Sequence, residues 1–127
     1  MKGHLYVVFF RKKKMKNTLK KNYEFKNVLE KGKFYRGKYL VIYILKNNRD
    51  INITGIAVSK KAAGGSVQRN RIKRVIREGY RLLKDELQEG YDIVFLWNKN
   101  VSVEDCSYIN VSKEMKKLFK KADFFKK

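Results

Sequence analysis

The sequence predicts a single α+β domain, an α/β sandwich in which helices pack on a small, mainly antiparallel sheet in α-β-β-α-β-α order. Three observations lead there. Three runs have strand composition, rich in β-branched and aromatic residues: YLVIYIL (39–45), INITGIAVS (51–59) and YDIVFLW (91–97). Three other stretches repeat their apolar residues with helical period. The length of 127 residues at 43 % hydrophobic content suffices for one core and falls short of two.

Taken in order, residues 1–14 form a basic leader expected to be poorly ordered, and residues 15–127 are expected to form the domain. Met15 is a possible alternative start. The apolar run HLYVVFF (4–10) carries its charges after it, in RKKKMK, the reverse of a secretory signal. NYEFKNVLEKG predicts a short first helix, with Asn22 as N-cap, Phe25, Val28 and Leu29 at helical spacing, and Gly32 as the stop. FYRGK (34–38) either extends the first strand or pairs as a short one of its own. YLVIYIL then turns through KNNRD into INITGIAVS. SKKAAGGS leads into a helix over 66–88, and Gly90 opens the strand YDIVFLW. Ser102 and Asp105 have the spacing of a capping box, and Tyr108, Val111, Met115, Leu118, Phe119 and Ala122 form the stripe of a final helix.

Charge dominates function. The net charge is +20, from 32 Lys and Arg against 12 Asp and Glu. Such self-repulsion points to a polyanionic partner, and 13 % aromatic content suits contacts to both phosphates and bases. The charge is concentrated in QRNRIKRVIREGYR (68–81), where Glu78 is the sole acid. At about 100° per residue, Ile72, Val75, Ile76, Gly79, Tyr80, Leu82, Leu83 and Leu87 share one side of this helix, the expected core face. Asn70, Lys73, Arg74, Arg77, Arg81 and Lys84 share the opposite side. Like charges four residues apart, such as Arg77 and Arg81, destabilise a helix by about 0.2–0.5 kcal/mol per pair. Arg69 and Arg71 in the first turn oppose the macrodipole. They suit a phosphate, which helix amides and guanidinium forks bind together. Of eight arginines, five lie between residues 69 and 81. Lysine supplies field and arginine supplies geometry, so this helix predicts a defined nucleic-acid docking surface.

Other classes find little footing. One cysteine, Cys106, cannot form an internal disulfide, and no stretch approaches the roughly 18 apolar residues of a membrane span. A cytoplasmic location is the default expectation, with no membrane partner. The phosphate-binding pattern GxxxxGK[ST] is absent despite Gly64 and Gly65. A self-sufficient nuclease needs a general base, a carboxylate cluster for metal, or an activated nucleophile. The lone His4 sits in the leader, adjacent Glu104 and Asp105 suit a helix start, and nothing in the sequence is placed to activate Cys106. We expect no catalytic residue and no intrinsic metal site.

GIAVSKK followed by SVQRNRIKRVIRE resembles the protein subunit of bacterial ribonuclease P, the ribonucleoprotein that removes the 5′ leader of precursor tRNA. The resemblance runs from about Leu19 to Phe119 and takes in LKKNYEF, YLVIYIL, DIVFLW and the lysine-rich last helix. It implies that Arg69, Asn70, Arg71, Lys73, Arg74 and Arg77, with Lys60 and Lys61 alongside, contact the catalytic RNA. It also implies that Phe25, Leu29 and Tyr43 line a cleft for the single-stranded leader of precursor tRNA, by stacking or apolar contact. Mg2+ would be held mainly by the RNA subunit, which would carry out the hydrolysis, and no protein partner would be required. The crossover between the strands flanking the signature helix would be left-handed, against the usual rule. Three features depart from the family pattern: Leu29 stands where many members have an aromatic residue, AAGGSVQ is about one residue longer, and residues 1–14 precede the usual start, as a native extension or an upstream start. A structural, ribosomal-type RNA-binding protein is the alternative reading.

Overall fold

The computed structural model describes residues 18–60 and 64–127. The leader 1–14, Met15, His4 and Lys61 lie outside the described residues. Three helices, α1 (Asn22–Lys31), α2 (Ser66–Leu83) and α3 (Tyr108–Lys121), accompany four strands, β1 (Lys33–Arg36), β2 (Leu40–Lys46), β3 (Ile53–Ala57) and β4 (Tyr91–Trp97). The strands form one sheet in the order β1-β2-β4-β3, so β3 and β4, joined through α2, are sheet neighbours. The expected α+β class holds, with FYRGK resolved as a strand of its own.

The described residues fall into two units. The first takes the chain up to Phe34, together with Tyr43–Gly55 and Glu89–Val94. Its core is Leu19, Val28, Ile53 and Val94, with Phe25, Tyr43 and Leu45 packed against it. Full burial of such side chains contributes about 1.5–3 kcal/mol each. The edge strand β3 is partly covered: Thr18 pairs in parallel with Thr54, and the Leu19 N–H donates to the Thr54 carbonyl at 2.8 Å. Gly55 is required by close approach, because a Cβ there would lie 2.6 Å from the Phe25 ring. The start of α1 corrects the expectation for Asn22. The cap position is Lys21, and Glu24 reaches back to accept from the Lys20 and Lys21 N–H groups at 2.8 and 2.9 Å. A carboxylate three residues into the helix satisfies the free amides and suits the dipole better than a neutral cap.

The second unit comprises Tyr35–Ile42, Ile56–Gln88 and Phe95–Lys127. Phe95 meets Phe119 and Tyr80 edge-on, with ring centroids 6.1 and 5.6 Å apart. α2 buries Ile72, Ile76, Gly79 and Leu83, and α3 buries Val111, Met115, Leu118 and Phe119. The expected core face of α2 needs one correction, since Leu82 is 53 % exposed. Leu87 is buried, but beyond the end of α2, after a 3-10 turn at Lys84–Glu86.

Ser102 and Asp105 also require correction. Ser102 caps a separate 3-10 turn, Val103–Asp105, by accepting from the Glu104 N–H. α3 has its own cap in Ser107, which accepts from the Asn110 N–H at 3.1 Å. Two cap-like residues five positions apart each serve a short-range turn, and the apolar stripe starts only after the second. The chain end after α3 folds back. Phe125 pairs antiparallel with Leu87, the Gln88 N–H donates to the Phe124 carbonyl at 2.9 Å, and Phe124 stacks on Phe119 at 5.5 Å.

Candidate nucleic-acid interface

α2 begins without help from its own sequence: its N-cap, Gly65, offers no side-chain hydrogen bond, and its first turn contains no acid. Amides left without a side-chain cap at a helix start are open to water or to an anion. The helix persists because its buried face packs in the second unit, which outweighs the repulsion on its outer face.

The cations on that outer face divide into two kinds. Lys73, Arg74 and Arg77 have no carboxylate within ion-pair distance among the described residues. Burial of its stem, then the nearby Arg77 and Arg69 charges, hold the Lys73 pKa below the ordinary lysine value. Burial and Arg74 likewise lower that of Arg77. A lowered pKa on a cation means that its charge is poorly compensated, which is the condition an incoming phosphate relieves. The other kind is committed within the protein. Arg81 grips Glu78 through Nε at 3.1 Å and Nη2 at 2.6 Å, which pulls the Glu78 carboxyl down. Arg71 spends one N–H on the Cys106 carbonyl at 3.1 Å, and Arg69 spends one on the Gly64 carbonyl at 3.0 Å. Asn70 and Lys60 are exposed, the latter just beyond β3.

In the first unit, the structure brings Phe25 and Tyr43 together on one hydrophobic cluster, both half-buried. Leu29 does not join that cluster and stays 37 % exposed. Tyr43 also meets Phe34, with ring centroids 5.7 Å apart and an interplanar angle of 35°. Phe34 is 55 % exposed and Tyr23 66 %, two further aromatic rings that reach the surface of this unit. Sequence reasoning missed both. The available signal was the alternation of KFYR, which puts Phe34 and Tyr35 on opposite faces of a short strand.

Among the described residues, no three His, Cys, Asp or Glu side chains gather as a metal site, and no helix is long and apolar enough to cross a membrane. Cys106 is fully buried, and burial pushes its thiol pKa up, with Arg71 opposing.

A basic α+β domain with a strongly cationic helix, whose single acid Glu78 is held by Arg81, and with exposed aromatic rings has the features of an RNA-binding protein. Residues 10–123 match the ribonuclease P family. The ribonuclease P protein component of Clostridioides difficile is 47 % identical over 106 residues, covering 83 % of this chain and 90 % of the relative. That of Clostridium botulinum (strain Loch Maree) is 44 % identical over 110 residues, covering 86 % and 96 %. Among solved structures, the Staphylococcus aureus RNase P protein aligns with a TM-score of 0.75 at 30 % identity, covering 87 % of this chain and 98 % of that one. The Thermotoga maritima protein gives 0.73 at 30 %, covering 82 % and 96 %. This chain belongs to the ribonuclease P protein family. It is the protein component of an endoribonuclease complex whose partner is the ribonuclease P RNA. The reading as a structural ribosomal protein finds no support in these matches.

Proposed function

We propose that this subunit binds the catalytic RNA through α2 and holds the 5′ leader of precursor tRNA on the aromatic surface of the first unit, while the RNA performs the cleavage. The observation that carries this reading is the outer face of α2, where Lys73, Arg74 and Arg77 have no acid within ion-pair distance among the described residues, and where burial and neighbouring cations lower the pKa of Lys73 and Arg77. Arg69, Asn70 and Arg71 at the start of α2, with Lys60 and Lys61 before it, extend the RNA contact. Affinity then comes largely from counterion release and falls steeply with salt.

Leader recognition draws on Phe25 and Tyr43, with Leu29 adding apolar contact and Phe34 widening the aromatic surface. Single-stranded bases stack on such rings at about 1–3 kcal/mol each, with little sequence preference. A leader varies from one tRNA to the next, so this tolerance suits the task.

We place the chemistry on the RNA. The described residues bring together no ligand set for a metal ion, and burial keeps Cys106 protonated. Mg2+ bound by the RNA would supply the hydroxide and stabilise the leaving oxygen. The protein's contribution is to screen phosphate repulsion and position the substrate. We assign it to the cytoplasm, where precursor tRNA is made.

Reconstitution tests the reading. Added to a bacterial ribonuclease P RNA at low Mg2+, the protein should restore leader removal, and without RNA it should cut nothing. Tyr43→Ala should weaken binding of precursor tRNA while sparing mature tRNA. An equal loss for both would remove the leader assignment.

A further inference from the structure

We propose that the exposed face of α3 is a second phosphate-binding surface, which meets the sugar–phosphate backbone of a different RNA segment from the one that meets α2. The proposal rests on the reading of this chain as an RNA-bound subunit and adds a surface to it. Lys113, Lys116, Lys117, Lys120 and Lys121 are all exposed. At about 100° per residue they occupy an arc of about 140°, opposite the buried side of α3. α2 packs on that buried side, since a Cβ on Gly79 would lie 3.3 Å from the Met115 Cε and 3.8 Å from the Ser112 Cα. The lysine face is therefore turned away from α2.

The one carboxylate of α3 does not neutralise this face. Glu114 accepts from the N–H groups of Lys38, Tyr39 and Leu40, each at 2.7 Å, and is committed to that turn. Among the described residues none of the five lysines has an ion-pair partner. They crowd one another at three- and four-residue spacing, in the pairs 113/116, 113/117, 116/120, 117/120 and 117/121, each unfavourable in an isolated helix. The dipole compensates only Lys120 and Lys121, which lie in the last turn. A face that served solubility alone would intersperse signs, as α1 does with Lys26 and Glu30.

The chemistry of the face selects the partner. It holds lysine and no arginine, so it offers mobile point charges suited to a repeating phosphate backbone rather than to a fixed fork on one group. A helix that inserts into a lipid surface carries a broad apolar face as well. Here the apolar side is already buried against the protein, and Ile109 is the one large exposed apolar residue within the arc.

The test measures binding of the full-length protein to a bacterial ribonuclease P RNA across a KCl series. It compares wild type, K113Q/K117Q/K120Q and R74Q/R77Q, with hydroxyl-radical footprinting of the RNA. Gln keeps helix propensity close to that of Lys, and circular dichroism confirms the fold. Each lost phosphate contact lowers the salt slope by about 0.7–0.9. The lysine triple variant should lower it by about two units, weaken binding about 10- to 100-fold at physiological salt, and lose protection at an RNA segment distinct from that lost in R74Q/R77Q. An unchanged slope and affinity in the triple variant, with loss in R74Q/R77Q, would leave the α3 face merely solvated and overturn the proposal alone. Loss at the same RNA segment in both variants overturns the claim of a second segment. Phosphatidylserine vesicle binding that is lost in the triple variant, with RNA binding intact, overturns it in favour of a lipid surface. Wild-type protein that binds the RNA without salt dependence overturns the underlying function as well.

Discussion

Glu114→Ala should be among the most destabilising single substitutions in this protein, although the residue is neither fully buried nor ion-paired. The carboxylate holds the Gly37–Leu40 turn to α3 by accepting three N–H groups: Lys38 on Oε1, and Tyr39 and Leu40 on Oε2. The Lys38 amide is exposed, so water replaces that partner at little cost, whereas the Tyr39 and Leu40 bonds are partly buried. A hydrogen bond to a charged group contributes about 1.5–3 kcal/mol. Two such bonds, less some recovery through water, give a loss of about 3–4 kcal/mol from a total stability of order 5–15 kcal/mol. Glu114→Gln keeps an oxygen for two amides but sets an NH2 against the third, and should lose about 1–2 kcal/mol. Gly37 supplies an internal control, because a Cβ there would overlap the Glu114 carboxyl. Gly37→Ala should destabilise on its own and add little in the Glu114→Ala background, a non-additivity that a double-mutant cycle detects. Urea unfolding followed by circular dichroism measures the four variants and the wild type. A Glu114→Ala loss below about 0.5 kcal/mol, the level of an ordinary surface substitution, would show that the turn holds without its anion.

Lys73 links RNA binding to pH. Its folded pKa lies below the unfolded value, so charging it disfavours the free folded state, and that penalty disappears as pH rises through the folded pKa toward the ordinary lysine value. Bound phosphate raises the pKa again. Wild-type protein should therefore take up protons on binding RNA in that alkaline window, as calorimetry in buffers of different ionisation enthalpy reports; equal uptake by Lys73→Gln would contradict this. Gly55→Ala sets a methyl 2.6 Å from the Phe25 ring, so we expect about 1–3 kcal/mol of overpacking and a reduced preference for precursor over mature tRNA. Stability loss with that preference intact would separate Phe25 from the leader. Arg71→Lys keeps the charge but gives up the bond to the Cys106 carbonyl. It should lower stability by about 1 kcal/mol in denaturant unfolding, and an unchanged stability would mean that the bond to the Cys106 carbonyl contributes nothing. Phe124→Ala opens the stack on Phe119 at a residue 4 % exposed and should cost about 3 kcal/mol in denaturant unfolding; a near-neutral result would mean that the chain end is not part of the core.

Much of this protein is written in local pattern. The two-sided character of α2 follows from helical period and residue chemistry, and period needs no knowledge of distant residues. Ile72 and Ile76 face inward, and Lys73, Arg74 and Arg77 face outward, as the spacing requires. The strand runs, the α+β class and the cationic face of α2 came from the same kind of information. Element ends were less legible, because Asn22, Ser102 and Asp105 satisfy a cap pattern equally well whether or not a neighbouring carboxylate or serine takes the role.

What the tertiary structure alone decided is which of these groups remain available. The pairing of Arg81 with Glu78 is local, three residues apart on one helix, but other commitments are not. Arg71 and Cys106 lie 35 positions apart, and Glu114 reaches a turn 76 positions away. Phe25 and Tyr43 share a surface only because α1 and β2 border one cluster. Such pairings depend on strand order and on where the chain returns after each crossover, and no pattern confined to a few neighbouring residues encodes them. Composition and period therefore fixed the partner's chemistry, and long-range packing selected the side chains left free to meet it.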